Sequence, residues 1–230
     1  MFIRLLGLLT LSLQLLSAQN VLDLQFSGET ATDAAGGRTP ELHNVVVMGV
    51  GAAGYGDLDG RGAVVIPADP ELSFTAQDPL WMEVWINPVQ FGKTGMIVSK
   101  GSGANYRLSA PANGLFGFSY YAQGAWRSLT SETPLSFNEW QHVAVYFDSP
   151  SGIVTLLRNG KVVARKAEFP PFQSQDETPL YLGGMPVRDT EEFAGIVGAL
   201  GPVTITRGNP REIPAQVTVG QQVFEVQPLF

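Results

Sequence analysis

Punctuation is the feature that most limits what this chain can fold into. Short runs rich in Val, Ile, Phe, Tyr and Trp are separated by clusters of Gly, Pro, Asn, Asp and Ser. Beyond the amino-terminal segment no 3.6-residue periodicity persists. Within the runs the period is two, as on a strand whose successive side chains point to opposite faces. VLDLQF (21–26) places Leu22, Leu24 and Phe26 together, and LWMEVWIN (80–87) sets Leu80, Met82, Val84 and Ile86 against Trp81, Glu83 and Trp85. LFGFSYY (115–121), WQHVAVYF (140–147) and PVTIT (202–206) read the same way. In IVTLLRNGKVVARK the pair Asn159-Gly160 divides two apolar runs, the hairpin signature of a turn needing positive φ at both central residues. Many short strands with no helices between them predict an all-β fold, an antiparallel two-sheet β-sandwich of jelly-roll type.

The chain opens differently. MFIRLLGLLTLSLQLLSAQN has a basic start at Arg4, an apolar run from Leu5 to Leu16, then small residues at Ser17 and Ala18. This is the layout of a secretory leader, residues 1–18, and the run is short for a bilayer span. The expectation is export to the periplasm, cell surface or medium, with no membrane insertion after cleavage. A domain over 19–212 would follow, and then an extension, 213–230, folding as a hairpin around Gly220-Gln221 and packing on the domain. The chain contains no cysteine, so neither disulfides nor zinc-thiolate sites hold it together. Its formal charge of −7, with no Lys/Arg cluster to reverse it locally, repels phosphate backbones. Nucleic acid is excluded as a partner on that ground.

Catalysis would need chemistry that the strands do not carry. A retaining glycosidase mounts two carboxylates about 5–5.5 Å apart, a separation that residues i and i+2 of a strand supply. Glu83 has Trp81 and Trp85 as its i±2 neighbours, so it reads as a hydrogen-bond acceptor within the fold. The carboxylates of RDTEEF (188–193) fall in a loop, and Asp57 and Asp59 lie in glycine-rich GYGDLDGRG (54–62). His142 alternates with Trp140, Ala144 and Tyr146 and reads as a packed imidazole, while His43 has no acidic cluster beside it. No G-x-S-x-G occurs, and GVGAAGYG (49–56) follows a strand but opens no helix, so it is not a dinucleotide loop.

Several stretches, in order, resemble the laminin-G-like or concanavalin A-like jelly-roll family. LDLQFSGETATDAAGG (22–37) is similar to that family's opening strand and loop, GYGDLDGRGAVVIPADPELSF (54–74) to its polar hairpin, and LWMEVWINP (80–88) to its Glu-x-Trp strand. Residues 129–164 resemble its Trp-x-His-Val-Ala strand and following hairpin, and PLYLGG (179–184) with FAGIVGALGPVTITRGNP (193–210) its closing strands. The resemblance implies two curved antiparallel sheets, an architecture used by lectins, adhesion modules and some glycoside hydrolases.

Two site expectations follow. The resemblance implies a calcium ion between the opening loop, the polar hairpin and the last motif, with Asp33 and Asp59 at the matching ligand positions. Gly198 and Ala199 stand where that motif carries its acids, which weakens the donor set. The second expectation is a saccharide site. Sugars are held by apolar C–H faces on exposed rings, with amides and charged groups reading the hydroxyls. FSYYAQGAWRS (118–128) gathers Tyr120, Tyr121, Gln123, Trp126 and Arg127 around a turn, with Tyr106, Tyr55 and Asn105 as further candidates. The expected partner is a glycan, the expected function that of an exported lectin-like module without catalysis. The alternatives are a protein-interaction or adhesion module of the same fold and, third, a divergent glycoside hydrolase.

Overall fold

The alternation read in VLDLQF is realised: Leu22, Leu24 and Phe26 are buried in one core while Gln25 is exposed on the other face. The computed structural model describes residues 18–49, 53–93, 95–101, 105–172, 177–188, 190, 192–208, 216–219 and 222–225. Its strands are β1 (Gln19–Ser27), β2 (Thr30–Asp33), β3 (Glu41–Met48), β4 (Tyr55–Ile66), β5 (Leu80–Phe91), β6 (Met96–Lys100), β7 (Tyr106–Ser109), β8 (Gly117–Ala122) and β9 (Ala125–Thr130). They continue as β10 (Gln141–Asp148), β11 (Ile153–Arg158), β12 (Lys161–Lys166), β13 (Leu180–Leu182), β14 (Gly184–Pro186), β15 (Phe193–Arg207), β16 (Gln216–Val219) and β17 (Gln222–Glu225). Every pairing is antiparallel, and Asn159 and Gly160 take φ of 51° and 74° in the β11–β12 turn.

Hydrogen bonding runs in one path, β12-β11-β10-β5-β15-β4-β13-β6-β7-β8-β9. Two long strands let that path double over into two layers. β4 pairs with β15 through residues 56–59 and with β13 through 64–66. β15 pairs with β5 along most of its length and receives β1 beside residues 203–207. The far end returns, so that β9 lies near β11 and β12 and the sandwich closes on that side. Between the layers sits one apolar core, to which β5 contributes Leu80, Met82, Val84 and Ile86, and the opposite layer Val98, Leu108 and Phe118. The rings of Tyr120, Phe147 and Phe172 meet there at centroid distances of 4.9–6.0 Å. Each such ring contributes about 2–3 kcal/mol through burial.

The other face of β5 is buried as well. Trp81 and Trp85 are only 2% and 5% exposed, and pack with Ala144 and Leu157 beside Trp140 and Tyr146. β16 and β17 pair with each other on either side of residues 220–221 and form a sheet of their own. Residues 1–17, where the leader is expected, and 220–221, where the turn of the hairpin is expected, lie outside the described residues.

The opening of the fold is held by a buried ion pair. Asp33, at the end of β2, accepts from the backbone N–H groups of Asp23, Ala35 and Gly36 at 3.0–3.2 Å. Arg38 donates through Nε to Asp33 at 2.5 Å, through Nη1 to Asp69 at 3.1 Å and through Nη2 to the Val21 carbonyl. Asp69 also caps the 3-10 turn at Pro70–Leu72 by accepting from Glu71 N–H. One guanidinium therefore ties β1, the loop after β2 and that turn. Burial pushes the Asp33 carboxyl up, but the Asp23 N–H, Arg38 and the Gly36 N–H more than offset this and hold it below its ordinary 3.8. A carboxyl depressed in the folded state adds stability above its unfolded pKa. That stability is lost as pH falls below 3.8 and on through the folded value. Asp33→Asn should lower unfolding stability by about 3 kcal/mol, because the buried Arg38 loses its enclosed counter-charge and keeps only the partly exposed Asp69. In urea titrations the loss should be full at neutral pH and shrink on acidification below that point.

Candidate binding site

The β8–β9 hairpin carries the predicted saccharide residues, and the strand period divides them. Gln123 and Gly124, with φ of 53° and 75°, make its two-residue turn and put Tyr121 directly opposite Trp126. Tyr121 and Trp126 are 36% and 37% exposed and meet edge to face, their centroids 5.9 Å apart. Tyr120 and Tyr106, cross-strand partners, point the other way and are fully buried. Tyr120 donates to the Pro170 carbonyl at 2.6 Å and Tyr106 to that of Leu72 at 3.1 Å, and burial drives the Tyr120 phenol far above its usual pKa. Neither ring offers a face to a ligand, which corrects the sequence expectation. Arg127 is paired with Tyr120 and lies on the inward face, where its Nε is buried and unbonded. Asn105 is buried too. Gln123 remains at the exposed tip.

The residue that reasoning along the chain missed is Arg107. On β7 it stands over the Trp126 ring, its guanidinium carbon 4.1 Å from the ring centroid. Its half-buried position lowers its pKa, through desolvation, yet leaves it a cation at neutral pH. Among the described residues no carboxylate pairs with it. Cross-strand register sets it in a straight row: Tyr181 opposite Ser99, Ser99 opposite Arg107, Arg107 opposite Ser119, and Ser119 opposite Ser128. The Ser119 and Ser128 hydroxyls are 2.9 Å apart. The row thus crosses five strands on the outer face of one layer, with Tyr121 and Trp126 at its exposed end.

The outer face of the other layer holds a groove across β3, β4, β15 and β5. Asp57 and Asp59 share the exposed face of β4, and Asp57 lines two adjoining cavities of about 490 and 260 Å³. Tyr55 belongs here rather than near Tyr121, edge-on to Trp140 at 5.5 Å. Asn87 contributes an Oδ1 that is fully buried and has no hydrogen-bond partner. Gly198 lies in the floor at φ +134°, where an added Cβ would come within 2.3 Å of the Asn87 carbonyl. An acidic side chain at that position would force β5 and β15 apart.

The calcium reading fares differently from the groove itself. The carboxylate of Asp33 is wholly buried under Arg38 and three N–H donors, so it is not free to ligate, which corrects its assignment. Asp59 accepts from Arg61 N–H at 2.8 Å and otherwise faces solvent. Among the described residues no group of three His, Asp or Glu gathers to hold an ion.

Glu83 and His142 meet on the outer face of β5 and β10, Oε2 to Nε2, at 3.1 Å. His142 is 1% exposed and packs against Trp85, with ring centroids 5.2 Å apart. The residues directly across from Glu83 are Ala144 and Thr204. Neither supplies the second carboxylate that acid/base cleavage of a glycosidic bond uses.

Comparison with known proteins places this geometry. The sequence model of the concanavalin A-like lectin/glucanases superfamily matches residues 58–203. A search of curated protein sequences finds no match. Among solved structures the chain is similar to the binding domain of Paraclostridial Mosquitocidal Protein 1, with TM-score 0.67, 14% identity and coverage of 84% of this chain and 50% of that one. It is similar to domain 4 of AbnA, a GH43 extracellular arabinanase from Geobacillus stearothermophilus solved in complex with arabinotriose, with TM-score 0.67, 16% identity and coverage of 83% and 93%. It is also similar to the binding domain of botulinum neurotoxin DC in complex with rat synaptotagmin II, with TM-score 0.61, 13% identity and coverage of 81% and 48%. The chain spans about half the length of the two toxin binding domains and nearly all of the arabinanase domain. At these identities the likeness is one of fold.

Thermal melts of the chain with added calcium and with chelator should superimpose. A calcium-dependent rise of several degrees, retained in Asp33→Asn, would show an ion site built from other donors.

Proposed function

Because the chain belongs to the concanavalin A-like lectin/glucanase superfamily, we propose that it is an exported, non-catalytic module that binds a glycan along the row centred on Arg107. One observation carries this reading: an unpaired guanidinium and an exposed Tyr121–Trp126 pair lie on one flat face with the Ser119 and Ser128 hydroxyls. The rings supply apolar surface for sugar C–H groups, and the guanidinium and hydroxyls supply donors and acceptors for ring substituents. Adjacent strands lie about 4.8 Å apart, so the part of the row from Arg107 to Ser128 spans about 10 Å, while Ser99 is buried with its hydroxyl on the Gly101 carbonyl. Gln123, at the turn, adds a planar amide beside Tyr121. That a domain of the same fold is known with arabinotriose supports the ligand class. The leader-like layout of residues 1–18, a basic start, an apolar run and small residues, supports export.

The protein should be retained on a polysaccharide column or bind oligosaccharides by calorimetry, and Trp126→Ala should weaken binding about tenfold, about 1.4 kcal/mol, with an unchanged melt. Arg107→Ala should weaken it further if the ligand carries a carboxylate or sulfate, and less if it is neutral. Retention untouched by Trp126→Ala and Tyr121→Ala together would remove the site. Glu83→Gln should leave binding intact, and no reducing ends should appear with either protein; product release lost in Glu83→Gln would point to a hydrolase instead.

A further inference from the structure

The groove over Asp57 lies on the layer opposite the Arg107 row and has a different chemistry. The charged side chains that line it are both acidic, Asp57 and Asp59, beside the amides of Asn44, Asn87 and Asn138. Among the described residues no Lys, Arg or His lines either cavity. Arg61, the next cation along β4, meets Asp59 only through its backbone N–H among the described contacts. Two exposed acids on one strand face, with no cation among the described residues to answer them, make a site lacking a positively charged donor.

The walls decide which donor fits. Val46 is 62% exposed, Val89 55% and Met48 44%, and all three border these cavities. They are aliphatic, and the two aromatic rings, Tyr55 and Trp140, stand edge to face against each other at 73°, at one end of the groove. Aliphatic walls above paired carboxylates match a side chain with a long apolar stem and a cationic head. A sugar would instead be served by exposed rings, as at Tyr121 and Trp126, whereas Tyr55 and Trp140 are both half-buried. The register shift of β15 between Val197 and Gly198 opens the floor at this point, and Asn138, held by its N–H to the Pro88 carbonyl at 2.8 Å, walls one end.

We infer that this groove docks an extended protein segment that sets a lysine or arginine between Val46 and Val89, its charge on Asp57 and Asp59. The occupant is therefore a basic, β-rich stretch of a partner protein, bound on a separate face from the glycan.

The test uses the chain from Gln19 onward, with an alternating lysine–valine peptide as probe and the glutamate–valine peptide as its charge-reversed control. The lysine peptide should bind measurably by calorimetry and the glutamate peptide should not. The double variant Asp57→Asn with Asp59→Asn should weaken binding by about tenfold or more with an unchanged melt. Glu29→Gln with Glu132→Gln removes the same charge at exposed positions elsewhere and should change affinity less than twofold. Val46→Ser should also weaken binding, whereas Trp126→Ala should leave it unchanged, which separates this groove from the glycan face. Equal losses in the two double variants would reduce the effect to net charge and overturn the proposal. So would absence of peptide binding, or displacement of the peptide by a chitosan oligomer at lower concentration, which would make the occupant an amino sugar.

Discussion

The pairing of β15 with β5 on one side and β4 on the other is the constraint on which the rest depends. β15 is the longest strand, and its two register shifts relative to β5 let the sheet bend from one layer into the other. At the first shift stands Gly198, whose backbone no L side chain could adopt without meeting the Asn87 carbonyl. The same glycine shapes the groove floor and takes the place where related motifs carry acids. At position 198 the close approach of β5 thus leaves no room for a carboxylate.

Around that spine two devices share the remaining work. The core between the layers is apolar and ring-rich, and its burial supplies the driving force for the sandwich. The Arg38–Asp33–Asp69 cluster fixes the chain's entry, where β1, the loop after β2 and a capped 3-10 turn converge. A buried ion pair of this kind is weak evidence for stability, but breaking one partner is costly, so it specifies the arrangement. It also removes Asp33 from any role as an ion ligand, because a carboxylate enclosed by a guanidinium and three N–H donors has no lone pairs left facing a cation.

The binding faces follow from which way each strand residue points. Neighbours in sequence are separated by the core: Tyr120 is inside and Tyr121 outside, Arg127 inside and Trp126 outside. The stretch 118–128 was legible as aromatic and turn-forming, and the hairpin formed there. The choice of faces needed to know which face of β8 the core would take, and FSYY carries a tyrosine on each. Arg107 carried no local signal, being a lone cation in a short strand. Glu83 and His142 were readable as structural, since Glu83 lies between Trp81 and Trp85 and His142 alternates with Trp140, Ala144 and Tyr146, although their mutual contact at 3.1 Å was not.

By itself the sequence determined the class and much of the grammar of this protein. Period-two runs between turn formers dictate strands, Asn159-Gly160 dictates a hairpin, and six ordered motifs point to the superfamily that residues 58–203 match. Those are local signals, set by backbone sterics and by a two-residue repeat. Only the tertiary structure decided which side chains became neighbours. The row through Ser99, Arg107, Ser119 and Ser128 and the groove shared by Asp57, Asn87 and Val46 are products of register between strands far apart in the chain. Register is settled when the whole core closes, and no single run contains the information to choose it.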